Sequence, residues 1–299
     1  MKLNQLRDFL AVAESGSIHQ AARTLNVSQP ALTKSIRQLE KDLGAPLFER
    51  STKGAVLNPL GYTFLARVRL VANELERARD EVGQLLGRGG GRVSLATSGT
   101  PSMLFLPSAL KQFRRRFPDA QIRIVDGLLP VMLPELRDGQ IDFAMAPKPA
   151  QSLGKGYLVT PIYANKRAVV GRRLHPLRHA RSLAQLVDAH WILTGAAGAR
   201  DTEFEALFRS HRLPIPRADV LCESLIALVS LLAESDLLAL LPEQWVKSPL
   251  TSKLLERIPV REEIDAPDIC LIRREGLPLT PAAEAFSDAL LREAGYSGR

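Results

Sequence analysis

Residues 21–50, AARTLNVSQPALTKSIRQLEKDLGAPLFER, decide the fold of the N-terminal part of the chain. The stretch contains two apolar patterns at helical spacing, and only Asn26 and Val27 separate the first from the second. Ser28 is a favourable N-cap for the second helix, and Pro30 suits its first turn, where a missing N–H costs nothing. The stretch therefore predicts two helices joined by a tight turn, which is the helix-turn-helix arrangement.

A further helix is predicted in front of this motif. Leu3, Leu6, Leu10 and Ala13 recur at helical spacing, and Gly16 ends the pattern. Ser17 is then a favourable N-cap for the first helix of the motif. Spacing alone leaves two alternatives open, a plain three-helix bundle and a nucleic-acid-binding unit.

The start of the third predicted helix carries polar side chains on its outer face: Gln29, Thr33, Lys34 and Arg37. Glutamine can bond adenine at two points, threonine offers a hydroxyl and a methyl group, and lysine and arginine reach guanine or phosphate. The helix N-terminus itself favours a phosphate. This face therefore indicates DNA binding, and the alternative is a solvated polar surface.

A small hairpin is predicted after these helices. Residues 46–50 and 55–57 read as short strands around a turn at Lys53 and Gly54. Arg50, Thr52 and Lys53 would lie near its tip, and basic tips of this kind can enter a minor groove. Taken singly, each of these residues would be an ordinary exposed surface residue.

The run quoted above, followed by TKGAVLNPLG at 52–61, resembles the N-terminal signature of LysR-type transcriptional regulators. The resemblance implies a winged helix-turn-helix, a long linker helix, and an α/β effector domain of two subdomains that is similar to periplasmic binding proteins. Thr33 stands where the family commonly has serine, which keeps the hydroxyl. From the side-chain chemistry and the resemblance together, the predicted DNA-binding residues are Ser28, Gln29, Pro30, Thr33, Lys34, Arg37, Arg50, Thr52 and Lys53.

A long helix is predicted to begin at Asn58 and Pro59. Its apolar stripe is Leu60, Phe64, Val68, Val71, Leu75, Ala78, Val82 and Leu85. Steps of three and four residues make this a heptad pattern, over a helix of about 42 Å. Such a stripe needs a partner, and the alternatives are a second copy of the helix or the chain's own domains. A homodimer is favoured because two-fold DNA half-sites require two recognition helices, and the resemblance extends this to a homotetramer.

The domain limits follow from these patterns. We expect a DNA-binding domain at 1–58, a linker helix at 59–87, a flexible glycine-rich hinge at 88–91 and an effector domain at 92–299. The last region alternates strands with helices, including one helix from Pro101 to Phe117, and predicts α/β architecture with mostly parallel sheets. On the pattern of the resemblance, one subdomain comprises 92–162 and 268–299, and the other 163–267.

Ligands of such sheets bind at the carboxyl ends of the strands. The first strand ends at Ser98, and a helix follows at once; the strand HWILT ends at Thr194 and Gly195. Hydroxyls and helix N–H groups at such corners favour an anion, such as a small carboxylate or sulfonate. The alternative is that these hydroxyls only cap helices. Together with the resemblance, the predicted effector-binding residues are Ser98, Gly99, Thr100, Pro101, Gly127, Pro147, Thr194, Gly195 and Ser224.

Two residues near this predicted site have apolar side chains. Pro147 departs from the small polar residues common at its position in the family, so it offers no side-chain hydrogen bond. Phe105 is large and close in sequence, and we expect it in the core.

Composition excludes several classes of protein. The chain of 299 residues has a net charge of +8, which favours nucleic acid or anionic ligands, and no apolar run is long enough for a membrane span or a signal peptide. Cys222 and Cys270 are expected to be free thiols, as in a cytoplasmic protein. A solute-binding protein would share the second half, but it would need export and would lack residues 1–86.

Catalytic and metal-binding patterns are missing from the sequence. It contains no G-x-S-x-G, H-E-x-x-H or P-loop motif, and Pro176 disfavours a helical metal pair of His175 and His179. We therefore expect no catalytic residue, no metal and no cofactor. The predicted function is sequence-specific transcription regulation, modulated by a small effector. The predicted partners are double-stranded DNA, the effector, further copies of the chain and, as a candidate, RNA polymerase.

Overall fold

A computed structural model describes residues 1–51, 54–88, 90–194 and 202–296, without the side chains of Arg50, Ser51 and Thr202. Its N-terminal unit consists of α1 (Leu3–Ser15), α2 (Ile18–Thr24), α3 (Gln29–Leu43) and a hairpin of β1 (Phe48–Ser51) and β2 (Gly54–Leu57). Phe9, Val12 and Leu39 are fully buried between the three helices. These apolar side chains recur at helical spacing, and their burial holds the helices together.

The helices of this unit begin at the predicted caps. Ser17 Oγ accepts a hydrogen bond from the backbone N–H of Gln20 at 3.4 Å, and Ser28 Oγ accepts one from that of Ala31 at 3.3 Å. Each bond satisfies a donor that the first turn of a helix leaves unpaired. The two short polar side chains therefore set where α2 and α3 start.

The hairpin is fixed to the turn that precedes α2. The N–H of Ala55 donates to the carbonyl of Gly16 at 2.9 Å. Gly54 has a φ of +112°, and a Cβ there would lie 2.5 Å from the Gly16 oxygen. Only glycine fits that position without a shift of the backbone.

The long helix α4 spans Pro59–Leu85, and the Asn58 side chain caps its first turn at Gly61 N–H. Leu65 and Val68 are buried in the N-terminal core. Beyond them the predicted stripe is exposed: Val71 is 43% exposed, Leu75 41% and Val82 56%. The second half of the stripe thus remains open to solvent in the single chain.

The region after α4 contains the remaining strands and helices. In chain order they are β3 (Arg92–Thr97), α5 (Gly99–Leu104), α6 (Leu106–Arg116), β4 (Gln121–Asp126), α7 (Leu129–Arg137), β5 (Phe143–Pro147), β6 (Tyr157–Tyr163), β7 (Lys166–Arg172), β8 (His190–Thr194), α8 (Thr202–Ser210), β9 (Ala218–Cys222), α9 (Leu225–Glu234), β10 (Leu237–Pro242), β11 (Leu255–Ile258), β12 (Ile264–Asp265), β13 (Ile269–Arg274) and α10 (Pro281–Glu293).

These strands form two sheets. One has the order β4-β3-β5-β13-β6, and the other has the order β11-β7-β10-β8-β9 with β12 also paired to β7. We call the first sheet with its helices subdomain I and the second subdomain II. The chain passes from one to the other between β6 and β7 and returns before β13. Among the described residues, no helix is long and apolar enough to cross a membrane.

The expectation of mostly parallel sheets was wrong. β3 runs parallel to β4 and β5, and β8 runs parallel to β9 and β10. However, β13 is antiparallel to both of its neighbours, and β7 is antiparallel to β10, β11 and β12. The antiparallel strands flank the two crossings, where the chain enters each sheet from the opposite end.

The single helix expected from Pro101 to Phe117 was also wrong, since it breaks at Phe105 into α5 and α6. Pro107 lies in the first turn of α6, and a proline disfavours continuation of the helix through the residues before it. Phe105 itself is 5% exposed and packs in the core of subdomain I, as expected. The break leaves α5 as a separate short helix at the end of β3.

The polar face of α4 packs against subdomain I through charged residues. The Arg77 guanidinium lies 2.9 Å from Asp142 and donates to the carbonyls of Gly139 and Ile141. Arg274 pairs with Glu74 at 2.7 Å. Burial raises the pKa of Asp142 and lowers the pKa of Arg274. We call Glu74, Arg77, Asp142 and Arg274 the Arg77 cluster, and it ties the linker helix to subdomain I.

Close packing continues where the linker meets subdomain I. A Cβ on Gly90 would lie 2.2 Å from backbone atoms of Asp119 and Ala120. At this position of the predicted hinge, glycine is therefore required for a close approach of two backbone segments.

Candidate DNA-binding surface and ligand cleft

The outer face of α3 forms an exposed, cationic and shallow groove. Among the described residues, its lining contains no carboxylate and, apart from Pro30, consists of polar or basic side chains: Gln29, Pro30, Thr33, Lys34, Arg37, Gln38 and Lys41. The five α3 residues predicted from the sequence to contact DNA are all in this set. Such a surface offers both phosphate contacts and side chains that can read base edges.

Two hydrogen bonds hold α3 in place from its inner side. Ser35 Oγ donates to a carboxylate oxygen of Asp8 on α1 at 2.6 Å. Glu40 accepts the N–H of Leu47 at 2.8 Å, which fixes the segment leading into β1. The groove therefore has a set orientation relative to α1 and the hairpin.

The other predicted DNA-binding residues lie at the ends of these elements. Ser28 uses its oxygen as a helix cap, and its own O–H remains able to donate. Arg50 pairs with Ala55 in the hairpin. The side chain of Arg50, together with Thr52 and Lys53, lies outside the described residues.

A cavity of about 150 Å³ lies between subdomains I and II. Seven of the nine residues predicted to bind an effector line it: Ser98, Gly99, Thr100, Gly127, Pro147, Thr194 and Ser224. Pro101 is buried in α5 and is not among the lining residues, and Gly195 lies outside the described residues. Segments far apart in sequence thus meet around one cleft.

The hydroxyls of the cleft differ in how they are used. Ser224 Oγ caps α9 by accepting the N–H of Ala227 at 3.3 Å. Ser98 occupies the corresponding position before α5, but its side chain makes no capping hydrogen bond. Capping alone therefore does not account for Ser98, which is 8% exposed.

Two hydrogen bonds join the subdomains beside the cavity. Trp245 Nε1 donates to Thr100 Oγ1 at 3.2 Å, and Gln244 Nε2 donates to the Tyr163 hydroxyl at 2.5 Å. Gly99 lies against the same indole ring, where a Cβ would be 3.0 Å from a ring carbon. These contacts hold α5 of subdomain I against subdomain II.

The sequence interpretation missed several lining residues of the cleft, including Asp126, Asn165, Arg167, Glu223 and Trp245. Asn165 follows β6 at the first crossing between the subdomains; it is 9% exposed, and its Oδ1 has no hydrogen-bond partner. Arg167 at the start of β7 pairs with Glu203 at 2.6 Å. Asp126 and Glu223 could have been predicted from the sequence, because each directly precedes a predicted site residue, Gly127 and Ser224 respectively.

The histidines considered for a metal site have other roles. The His175 ring is buried, with Nε2 3.1 Å from the Asp236 carbonyl, and its Nδ1 accepts the N–H of Leu177. Within the described ranges, no group of three or more His, Cys, Asp or Glu side chains could hold a metal ion. Cys222 and Cys270 are both buried free thiols.

The fold and these two surfaces define a DNA-binding regulator with a ligand-binding module. Residues 3–62 match the family model for the bacterial regulatory helix-turn-helix protein of the lysR family, and residues 87–295 match the LysR substrate binding domain. The HTH-type transcriptional regulator GbpR of Azospirillum brasilense is 30% identical over 97% of this chain and 86% of its own. TdcA of Escherichia coli K12 is 25% identical over 99% of this chain and 95% of its own.

Solved structures show the same fold. CbnR, a LysR family transcriptional regulator, has a TM-score of 0.70 at 23% identity and covers 98% of this chain and 99% of its own. CbnR in complex with its target DNA also has a TM-score of 0.70, at 25% identity, and covers 98% of this chain and 100% of its own. The chain belongs to the LysR family of transcriptional regulators, a family that acts by binding DNA and has no enzymatic role.

Proposed function

We propose that this regulator reads a two-fold DNA site with α3 of two copies, and that a small carboxylate or sulfonate bound in the cleft changes its DNA binding. The observation that supports the effector part most strongly is the convergence of seven predicted residues around one cavity between the subdomains. Clefts between α/β subdomains at strand ends are the usual ligand sites of such folds.

The α3 groove supports the DNA part of the proposal. Lys34, Arg37 and Lys41 supply positive charge for phosphates, while Gln29 and Thr33 offer groups that distinguish bases. The similar structure of CbnR with its target DNA adds support from a relative. We propose that the protein acts in the cytoplasm, where a bacterial DNA target lies.

The exposed half of the α4 stripe supports a homodimer. Val71, Leu75 and Val82 form an apolar row on a helix whose other face already packs on subdomain I. A second α4 would bury this row as a coiled coil does. We propose further pairing into a tetramer, with RNA polymerase as a candidate additional partner.

We propose the domain limits expected from the sequence: 1–58, 59–87, 88–91 and 92–299, with subdomains of 92–162 plus 268–299 and of 163–267. The ends of the crossing strands lie within a few residues of these limits: β6 of subdomain I ends at Tyr163, one residue beyond the limit at 162, β7 begins at Lys166 and β13 begins at Ile269.

The donors in the cleft support an acid group on the effector. Ser98, Thr194 and Ser224 bring hydroxyls to the cavity, and the first N–H groups of α9 point out of the helix next to Ser224. Because residues of both subdomains line the cavity, a ligand there shifts the subdomains according to its differential affinity for their arrangements. The Arg77 cluster would pass such a shift to the linker helix.

Titration calorimetry of the full chain with simple organic acids and sulfonates tests the effector part. We expect an acid that binds wild type to bind Ser98→Ala about tenfold more weakly or worse, because a hydrogen bond to a charged group is lost. Ser108→Ala, at an exposed position on α6, is the control and should bind like wild type. Failure of every acid to bind, or equal affinity for Ser98→Ala, would contradict the proposed site.

A further inference from the structure

We infer that the effector is a small acid with a single acid group and an apolar body. This inference rests on the proposed function of the cleft and specifies the class of its ligand. Three features of the cleft carry it: the buried apolar side chains in its wall, the pairing of the one cation among its described lining residues, and its volume.

Buried apolar side chains from both subdomains form a large part of the cavity wall. Leu228 of α9, Leu241 of β10 and Trp245 belong to one apolar core of subdomain II, and Ile269 of β13 belongs to a core of subdomain I. The cavity therefore opens onto the edges of two hydrophobic cores. Burial of an apolar group against such a wall is favourable, whereas a polar group there loses its hydrogen bonds to water without replacement.

The apolar side chains of the wall meet where the subdomains approach each other most closely beside the cleft. A Cβ on Gly99 would lie 3.0 Å from a ring carbon of Trp245 and 3.3 Å from a side-chain carbon of Leu225. The indole N–H of Trp245 already donates to Thr100, and tryptophan has no other polar group in its side chain. The ring therefore presents only apolar surface to a ligand.

The charges of the cleft provide for one acid group. Among the described lining residues, Arg167 is the only cation, and it is already paired with Glu203 at 2.6 Å. Hydroxyls can hold a single acid group, and Ser98 is a buried hydroxyl whose side chain makes no capping hydrogen bond. A second acid group would be buried without an unpaired cation to balance it, which is costly.

The volume of the cavity sets the size of the apolar body. At about 150 Å³ it lies below the range of roughly 300–1,000 Å³ that is usual for drug-sized ligands. A dry apolar cavity of about this volume accommodates a benzene ring. The apolar body therefore has about three to six carbons, in a straight, branched or aromatic form.

The test is titration calorimetry of the full chain with straight-chain monoacids of two to seven carbons and with diacids of the same carbon number. We expect each added methylene of the monoacid to tighten binding about threefold to fourfold until the cavity is full. Butyrate should bind about tenfold more tightly than succinate or better, because succinate has the same number of carbons but a second acid group. The heat-capacity change of binding should become more negative with chain length, since burial of apolar surface has that signature.

Two leucines of α9 give a matched pair of variants. Leu228 and Leu232 are both buried in the same apolar core of subdomain II, but of the two only Leu228 lines the cavity. Leu228→Ala enlarges the cavity and should move the optimum to monoacids that are about two carbons longer. Leu232→Ala removes the same side chain one turn further along the helix and should leave the optimum unchanged. Urea unfolding of both variants checks that the fold is retained.

The possible results separate this inference from the proposed function. Equal binding of succinate and butyrate, or an affinity that does not rise with chain length, would overturn the inference and leave an acid-binding cleft in place. An optimum that responds equally to Leu228→Ala and Leu232→Ala would also overturn it, because the bound body would then not lie against this wall. Binding of hexanamide as tight as that of hexanoate would contradict the acid group of the proposed function and leave the apolar body in place. If no acid of any form bound, the proposed effector site itself would be contradicted, and the inference with it.

Discussion

The indole N–H of Trp245 donates to Thr100 Oγ1 at 3.2 Å, and both residues are nearly completely buried. Trp245 belongs to subdomain II and Thr100 to α5 of subdomain I. The bond therefore joins the two halves of the effector domain directly beside the ligand cleft. It leaves the Thr100 hydroxyl hydrogen available to another acceptor.

A double-mutant cycle measures this cross-cleft bond. Trp245→Phe and Thr100→Val each remove one partner, and we expect a coupling free energy of about 1 kcal/mol in urea unfolding of the effector domain. The double variant should thus be more stable than the sum of the two single effects implies. Strict additivity of the two changes would show that the bond does not connect the subdomains in solution.

Base reading by α3 is tested at Gln29. Gln29→Ala should weaken binding to the specific site by about tenfold or more, because a bidentate base contact is worth about 1–3 kcal/mol, and should change binding to random DNA little. Gel shifts on both DNAs measure the two affinities. Gln151→Ala, at an exposed position in the effector domain, is the matched control. An equal loss on specific and random DNA would assign Gln29 to backbone contacts instead.

Dimerisation through α4 is tested at Leu75. Leu75→Glu places a charge in the apolar row and should shift the sedimenting species toward lower mass, because burial of an unpaired charge is unfavourable. Leu158→Glu on β6 is a close control, since both leucines are 41% exposed in the single chain. Analytical ultracentrifugation compares the three proteins. The same mass for Leu75→Glu and wild type would exclude the row as an interface.

The contacts of the Arg77 cluster predict that two arginines of α4, Arg77 and Arg79, contribute very differently to the free energy of unfolding. Arg77→Met leaves Asp142 buried without its partner and should lower the free energy of unfolding by about 3 kcal/mol. Arg79→Met removes only an exposed pair with Glu76, and should cost roughly 0–1 kcal/mol. Urea denaturation measures both. Similar effects of the two substitutions would mean that α4 does not rest on subdomain I in solution.

The N-terminal unit could be predicted from sequence because its signals are local. The caps at Ser17, Ser28 and Asn58 start three helices where expected, and each acts through a bond to a residue three positions on. The polar face of α3 follows from helical periodicity in the same way. No long-range information was needed for these elements.

The cleft could be predicted only in part because it depends on tertiary contacts. Residues at strand ends, such as Ser98 and Thr194, were accessible through the rule that ligands bind there. Asn165 reaches the cavity because the chain crosses there from one sheet to the other, and Trp245 reaches it because α5 packs on subdomain II. Neither arrangement leaves a recognisable pattern in the neighbouring sequence. Pro107 indicated the helix break at Phe105, but the helical spacing of the apolar residues favoured one continuous helix.

We propose that a ligand in the cleft controls DNA binding by α3. The most direct measurement is a gel shift on the DNA upstream of the chain's own gene, at increasing concentrations of an acid that binds wild type. We expect the acid to change the affinity of the protein for this DNA or the mobility of the complex, and we expect Ser98→Ala and Thr194→Val to need about tenfold more acid for the same change. Their DNA affinity without acid should stay as in wild type. Identical acid dependence in wild type and both variants would show that the cleft does not control DNA binding, and loss of DNA binding by the variants without acid would show that Ser98 and Thr194 are structural.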